Sequence, residues 1–196
     1  MKAKKILSML LVLCLLLPMA AMADVYQRET DPVYSITVPE GWTVLTKASV
    51  EEMMAAGSEL IDEAFKPYLD AVQSMDATYL ISANKVDNLN IIAQSVGIEL
   101  TDELFSGMMP TLQQQLKQQF DSMGVKITNE GETAELGGRA ALCMGYSVDM
   151  AGVSMEVTQY MVPAGTSLLI ITYTAALGGE AEKAKVEEMI NSLSFE

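Results

Sequence analysis

The sequence contains no histidine among its 196 residues. Histidine supplies the general base of Ser-His-Asp and Cys-His catalysis, the ligands of the HExxH zinc motif and most proton transfer near neutral pH. Its absence excludes these mechanisms. Hydrolysis by a pair of carboxylates and chemistry based on lysine stay open.

Cysteine is almost as scarce, with Cys14 and Cys143 as the only two. A chain that loses its amino-terminal segment keeps one cysteine and forms no internal disulfide, so its fold depends on its core. Cys143 lies in an apolar stretch typical of a strand, where we expect a buried, inert thiol. A reactive thiol would need positive charge nearby, and only Arg139 is close in sequence.

The first 23 residues have the three parts of a secretory signal peptide. Three lysines precede an apolar run from Ile6 to Leu17, and the small-residue exit Ala21-Met22-Ala23 follows. We predict cleavage between Ala23 and Asp24, which would place residues 24–196 outside the cytoplasm.

Two alternatives for this segment stay open. An uncleaved leader would act as an anchor, although the apolar run is shorter than the roughly 20 residues that span a bilayer. Lipidation at Cys14 would make a lipoprotein, although Leu13 stands where such signals have Gly or Ala. After cleavage we expect no stable membrane span.

Basic residues are few: 12 Lys and Arg stand against 26 Asp and Glu, a formal net charge of −14. The leader holds three of the basic residues, so its removal leaves nine against 26, a net charge of −17. Such a chain repels nucleic acid and anionic lipid headgroups. It favours cations, basic partners or simple solubility. The 173 residues left after cleavage fit a single domain, 24–196.

The segment VYSITVPEGWTVL predicts a strand, a turn at Pro39-Glu40-Gly41 and a second short strand. The polar stretch from Asp24 to Pro32 before it is interpreted as an irregular lead-in. Trp42, the single tryptophan, follows the turn and is interpreted as a core residue rather than a platform for a ligand.

A helix is predicted next, because Ser49 followed by Glu52 matches a capping box. This places the helix start at Val50 and a break near Pro67, which lacks a backbone donor. The runs TYLISANK and LNIIAQSV that follow predict a hairpin.

Polar residues around the hairpin turn raise the question of a calcium site. Asp87, Asn88 and Asn90 carry oxygen ligands, but the glycine and the bidentate glutamate of an EF-hand loop are missing. We interpret the segment as a turn and predict no metal ligand and no cofactor.

Thr101 opens the most amphipathic helix of the chain. Apolar residues recur at spacings of three and four and predict a stripe that faces the sheet: Leu104, Phe105, Met108, Met109, Leu112, Leu116, Phe120 and Met123. Pro110 predicts a kink early in this helix. A methionine-rich stripe of this kind is usually core, and the alternative is a pliable binding groove.

From Val125 onward the apolar residues alternate. The pattern predicts a strand, a turn at Asn129-Glu130-Gly131 and another strand, then three strands joined by tight turns from Arg139 to Ala175. The last of these is apolar on both faces and is expected at the centre of the sheet. Small residues around Cys143 and Gly145 predict the place where a helix comes closest.

The segment from Glu180 to Phe195 predicts a final helix. Its inward residues are expected to be Ala181, Ala184, Met189, Ile190 and Leu193.

Four strings in this order resemble the Mog/PsbP-like group of proteins: YSITVPEGW, NLNIIAQSVG, TQYMVPAGTSLLIITYTA and MINSLSF. The resemblance implies an α+β fold in which an antiparallel sheet is covered by helices on both faces, an α/β/α sandwich. The group includes bacterial secreted proteins and lipoproteins. Its better-known members are docking or accessory proteins: a photosynthetic extrinsic subunit and a Ran-binding protein. The histidines associated with metal in photosynthetic members have no counterpart here.

Three functions follow as hypotheses, and none comes with catalytic residues. The first is a secreted, non-catalytic binding or accessory protein of the cell envelope, whose partner is an unknown envelope protein. The second is a carrier of a small hydrophobic ligand in a pocket between the sheet and the methionine-rich helices. The third is an acid-pair hydrolase, with calcium binding by clustered acids as a variant.

Overall fold

The computed structural model describes residues 23–56, 72, 77–150, 153–176 and 180–196. The chain is mixed α+β with a large antiparallel sheet, as predicted. Its strands are β1 Asp24–Arg28, β2 Tyr34–Val38, β3 Thr43–Leu45, β4 Ala77–Ile81, β5 Asn88–Ser95, β6 Lys126–Leu136, β7 Arg139–Met150, β8 Val153–Ala164, β9 Ser167–Ala176 and β10 Ser194–Phe195. Its described helices are α1 Lys47–Ala56, α2 Asp102–Met123 and α3 Glu180–Asn191.

The large sheet has seven strands in the order β3-β4-β5-β9-β8-β7-β6. The predicted hairpin is β4–β5, and the predicted three-stranded meander is β7–β8–β9. Both predictions are confirmed. β9 pairs with β5 on one side and β8 on the other, so the strand that is apolar on both faces lies at the centre.

A second, three-stranded sheet has the order β1-β2-β10. β1 pairs along its whole length with β2, so the interpretation of residues 24–32 as an irregular lead-in was wrong. β10 was also missed, because the predicted final helix ends at Asn191 and the chain then pairs with β2. Both strands are short, with five and two residues, and pairing with a distant partner decides their conformation.

One face of the large sheet is covered along its central strand β9. Leu169 and Ile171 of β9 are completely buried there, in one cluster with Tyr34 and Ile36 of β2 and Met189 of α3. The covering layer on this face is therefore the small sheet together with α3. Trp42 belongs to the same cluster and donates from Nε1 to Glu182 at 3.1 Å, which agrees with its predicted place in the core.

The opposite face carries α2 and α1. Phe105 and Phe120 of α2 pack on Met144 of β7, and Val50 of α1 packs on Tyr79 and its neighbours from β4. The predicted amino-terminal cap of α2 is confirmed, because Thr101 accepts a hydrogen bond from the Leu104 amide at 3.2 Å. The helix continues through Pro110.

The start of α1 was predicted one turn too late. The capping pair is Thr46 and Ser49, each of which accepts a hydrogen bond from the other's amide, at 3.2 and 2.8 Å. The helix consequently begins at Lys47 and not at Val50. The break expected at Pro67 lies outside the described residues.

The predicted turn at Asn129-Glu130-Gly131 is instead a pair of register shifts within the continuous strand β6. Gly131 adopts a φ of 115° at this bulge, and β6 stays paired with β7 on both sides of it. A Cβ on Gly145 would lie 2.8 Å from the Thr128 hydroxyl, so the element closest to that glycine is this strand and not a helix.

The inward face of α3 differs from the prediction at two positions. Val186 is buried together with Met189 and Ile190, whereas Ala184 is exposed. The larger side chain takes the core position because it buries more apolar surface.

A tight turn at Gly137-Gly138 joins β6 to β7, with φ values of 57° and 76°. A Cβ on Gly137 would lie 2.7 Å from the Phe195 ring and 2.9 Å from the Leu193 carbonyl oxygen. A Cβ on Gly138 would meet nothing within 4 Å.

We therefore expect Gly137→Ala to destabilise the protein more than Gly138→Ala. Both substitutions carry the cost of a left-handed backbone, about 1–2 kcal/mol, and only the first also displaces β10. Urea unfolding should give the larger loss of free energy for Gly137→Ala, by about 1–2 kcal/mol. Equal losses would contradict the packing of β10 against this turn.

Tyr173 of β9 presents a second testable feature of the core. Its side chain is buried, and its hydroxyl has no hydrogen-bond partner within the described residues. Burial, followed by the nearby Asp87 carboxylate, raises the pKa of the Tyr173 phenol above its usual value.

Tyr173→Phe is expected to raise the free energy of unfolding at pH 7 by about 1 kcal/mol, because it removes an unsatisfied buried hydroxyl. It should also reduce the loss of stability above pH 10. The unfolded phenol ionises near pH 10 while the folded one stays protonated, so its contribution is present below about pH 10 and lost above it.

Tyr34→Phe is the matched control for urea unfolding at pH 7 and 11. The Tyr34 hydroxyl donates to Thr78 Oγ1 at 3.0 Å, so this variant should lose about 1 kcal/mol. A Tyr173→Phe protein that is less stable at pH 7 would show that the hydroxyl does have a partner.

Candidate functional site

An apolar groove runs along α2 on the large sheet and has a volume of about 620 Å³. We call it the α2 groove. Its described lining consists of Gln94, Val96, Ile98, Leu100, Phe105, Met108, Leu112, Gln115, Leu116, Gln119, Met161, Leu168 and Ile170.

The groove exists because α2 lies over one side of the sheet only. The helix packs against β6 and β7, where the Phe120 ring centroid lies 4.5 Å from that of Tyr146. Polar contacts hold it there: Gln113 donates to the Glu130 carbonyl at 2.9 Å, and the Lys117 ammonium lies 2.7 Å from the Glu130 carboxylate. The part of this face formed by β5, β9 and β8 is left as the groove floor.

The two faces of β9 show the difference directly. Leu169 and Ile171 are fully buried on the covered face, whereas Leu168 and Ile170 are only partly buried on the groove side. Since both pairs are large aliphatic residues, the described elements leave apolar surface of the central strand accessible.

The segment between β5 and α2 contributes Val96, Ile98 and Leu100 to the lining of the groove. Ile98 is 55% exposed and Met108, across from it on α2, is 37% exposed. Two backbone hydrogen bonds fix the segment: the Val96 amide donates to the Thr166 carbonyl at 2.9 Å, and the Leu100 amide to the Gly165 carbonyl at 2.7 Å. The exposed apolar side chains are therefore held in place by the fold.

The described lining of the groove is neutral. No charged side chain is among the described residues that line it, and its polar members are the amides of Gln94, Gln115 and Gln119. The acids nearest in sequence lie elsewhere, since Glu99 and Asp102 line a separate cavity with Arg139 and Asp121 lies near Lys117.

The stripe predicted along α2 is thus divided between two environments. Phe105, Met109 and Phe120 are buried as predicted, whereas Leu104 and Met108 are exposed. Sequence reasoning did not single out Val96 and Ile98. The available signal was the presence of these two apolar residues on either side of Gly97, in the short segment between a predicted strand and a predicted helix.

Cys143 is buried, as predicted. Burial raises the pKa of its thiol, which disfavours the reactive thiolate. Burial likewise raises the pKa of the neighbouring Tyr160 phenol. Both shifts favour the protonated forms at neutral pH.

The Asp87 region is a structural turn, as interpreted from the sequence. The buried Asp87 carboxylate accepts hydrogen bonds from the Asn84 amide at 2.8 Å and from the Ala176 backbone amide at 2.9 Å. This arrangement ties the β4–β5 hairpin to the end of β9. Within the described residues, no group of three or more Cys, Asp or Glu side chains is placed to hold a metal ion.

The predicted cleavage site lies at the boundary of the described structure. Ala23 is exposed and Asp24 is the first residue of β1, where it pairs with Val38. Residues 1–22 lie outside the described part of the chain. Among the helices that are described, none has the length and apolar character needed to cross a bilayer.

No protein-family model matches this chain, and no curated protein sequence matches it significantly. Solved structures do match. The solution structure of the cyanobacterial PsbP (CyanoP) from Synechocystis sp. PCC 6803 is 13% identical, has a TM-score of 0.56, and the match covers 91% of this chain and 96% of that one.

A crystal structure from Bacteroides thetaiotaomicron VPI-5482 is also 13% identical, with a TM-score of 0.52. That match covers 89% of this chain but 49% of the other, so this chain spans about half of its length. LpqN, involved in cell envelope biogenesis of Mycobacterium tuberculosis, is 16% identical over 88% of this chain and 90% of LpqN, with a TM-score of 0.47.

At these identities the likeness concerns the fold and not the activity. The match to CyanoP extends over nearly the whole of both chains, and it agrees with the resemblance seen in the four sequence strings. The protein has the Mog/PsbP-like fold.

Proposed function

We propose that this protein is an exported, non-catalytic binding or accessory protein of the cell envelope, and that the α2 groove is its binding surface. The observation that carries the proposal is the groove itself: about 620 Å³, apolar, open to solvent and built from a fixed part of the fold. The leader pattern of residues 1–23 supports the location.

Exposed apolar surface at this groove calls for an occupant. Removing apolar area from water is worth roughly 25 cal/mol per Å². Soluble proteins rarely expose contiguous apolar patches beyond a few hundred Å², and larger ones usually mark interaction sites. Ile98, Met108 and the partly buried Leu168 and Ile170 lie together, so a ligand that covers them gains this energy.

The domain organisation and the helical cover of the sheet, both predicted from the sequence, belong to the same proposal. Residues 24–196 form one domain, and helices contribute to the cover of both faces of the large sheet. The clusters of α2 with β7 and of α3 with β9, on opposite faces, support the second point.

Carriage of a small hydrophobic ligand is the second candidate function. The volume of the α2 groove lies within the range of about 300–1,000 Å³ that is typical of small-molecule sites. Its neutral amide margin would suit an uncharged ligand.

Export should produce a chain that begins at Asp24. Expression of the full chain in a bacterial host with a general secretory pathway, followed by intact-mass measurement, is expected to give a product without residues 1–23. Ala23→Trp should block cleavage, because the signal peptidase needs a small residue at this position. Ala23→Gly, which keeps a small residue at this position, is the matched control and should be cleaved like the wild-type chain.

A mature mass that retains the leader would point to the anchor, and a mass increased by lipid would point to Cys14. Either result would contradict the proposed cleavage between Ala23 and Asp24.

The groove should bind a neutral apolar dye such as Nile red. Ile98→Gln combined with Met108→Gln is expected to weaken the dye about tenfold, because each change removes part of an apolar contact and 1.4 kcal/mol corresponds to a factor of ten. Fluorescence titration of the exported protein measures the effect.

Val25→Gln is the matched control, since Val25 is 65% exposed but lies on β1 of the small sheet. It should leave dye binding unchanged. Equal affinities of wild-type protein and the double variant would refute the groove as the binding surface. Turnover in a hydrolase screen, abolished by one substitution, would refute the non-catalytic role.

A further inference from the structure

We propose that Met108 is a site of reversible oxidation by hydroperoxides, and that its sulfoxide weakens the binding of apolar ligands in the α2 groove. The effect on binding rests on the proposed function and adds a means of regulation to the same site. Three features carry the inference: the exposure of Met108, the burial of the other described sulfur-bearing side chains, and the neutral lining around Met108.

Met108 stands apart among the methionines whose side chains the structure describes. It is 37% exposed, whereas the others are at most 8% exposed: Met109, Met144, Met155, Met161 and Met189. The thiol of Cys143 is buried as well. An oxidant in solution has to reach the sulfur that it oxidises. It can reach Met108 in the folded protein, while the buried sulfur atoms become accessible only when the fold opens locally.

Met109, the next residue of α2, provides a comparison within the same helix. It is 6% exposed and belongs to the cluster that joins α2 to β7. Its sulfur accepts a hydrogen bond from the Thr133 hydroxyl at 3.9 Å. The two neighbouring methionines therefore share a helix and differ in solvent access, so a difference between their oxidation rates reports how α2 is packed.

The reaction needs a hydroperoxide and no catalytic group from the protein. The Met108 sulfur attacks the outer oxygen of the peroxide with a lone pair, and an S–O bond forms as the O–O bond breaks. The thioether loses two electrons and the peroxide gains them. The proton of the transferred hydroxyl passes to the departing oxygen, which leaves as water or as an alcohol. A methionine sulfoxide reductase reverses the step, because a pair of thiols supplies two electrons, forms a disulfide and releases the oxygen as water.

Oxidation changes the character of the α2 groove at its most accessible point. Met108 lines the groove together with Ile98, Leu168 and Ile170, and no charged side chain is among the described lining residues. A sulfoxide places a polar S–O group in this apolar surface. Covering a polar group with an apolar ligand costs free energy when the group loses its hydrogen bonds to water. The oxidised groove should therefore bind apolar ligands more weakly.

The test treats the full exported protein with dilute hydrogen peroxide and follows two quantities. Fragmentation of peptides in a mass spectrometer locates each sulfoxide, and Met108 is expected to be oxidised at least about tenfold faster than Met109. Fluorescence titration with Nile red should show an affinity that falls by about threefold to tenfold. Treatment with reductases for both sulfoxide epimers and a dithiol should restore it.

Three variants assign the effect to one sulfur atom. Met108→Leu has no sulfur at this position, so its affinity for Nile red should be the same before and after peroxide. Met109→Leu is the matched control and should lose affinity on oxidation as the wild-type protein does, because Met109 does not line the groove. Met108→Gln carries a polar side chain of similar length and should bind the dye about as weakly as the oxidised wild-type protein.

Failure of the inference differs from failure of the proposed function. Oxidation of Met109 as fast as Met108, or an unchanged dye affinity after Met108 is oxidised, overturns the inference alone. So does a loss of affinity that persists in Met108→Leu. If the unoxidised wild-type protein does not bind Nile red, the proposed function is overturned, and with it the regulatory part of the inference.

Discussion

The fold depends on the burial of β9, the one strand that is apolar on both faces at the centre of the seven-stranded sheet. A strand of this kind is stable only if both faces are removed from water. One face meets this condition completely, since Leu169 and Ile171 are buried beneath the small sheet and α3. The other meets it incompletely, because α2 lies over β6 and β7. The α2 groove is the consequence of that asymmetry.

The position of α2 has its own cause at the edge of the sheet. An edge strand exposes unpaired backbone groups that invite association with other chains. β6 is bulged at Gly131, carries several glutamates and is held to α2 by Gln113 and Lys117. The contacts that protect this edge draw the helix away from β9. The position of α2 over β6 and β7 therefore both protects the edge of the sheet and leaves the groove exposed.

Periodicity in the sequence was sufficient for the elements that are long and locally determined. The β7–β8–β9 meander, the central position of β9 and the Thr101 cap could all be predicted, because alternation and capping act over a few residues. β1 and β10 could not, since they are short and their pairing with β2 joins the two ends of the described chain. Gly131 was mistaken for a turn because glycine marks turns and bulges alike.

The candidate site was only half predictable for a related reason. The stripe on α2 shows which residues avoid water, and Phe105, Met109 and Phe120 do so. It does not show how far the sheet extends beneath the helix, and that decides the exposure of Met108. The exposure of Ile98 was likewise not predictable from nearby residues. The backbone hydrogen bonds that place its segment go to Thr166 and Gly165, which are distant in sequence.

The chemistry of the α2 groove changes little with pH near neutrality. The chain has no histidine, and burial keeps the Cys143 thiol protonated, so few of its side chains change charge between about pH 6 and 8. The described lining of the α2 groove holds no titratable side chain, so protonation near neutral pH does not alter it. What this lining offers is apolar contact, whose strength depends on the area removed from water and not on pH.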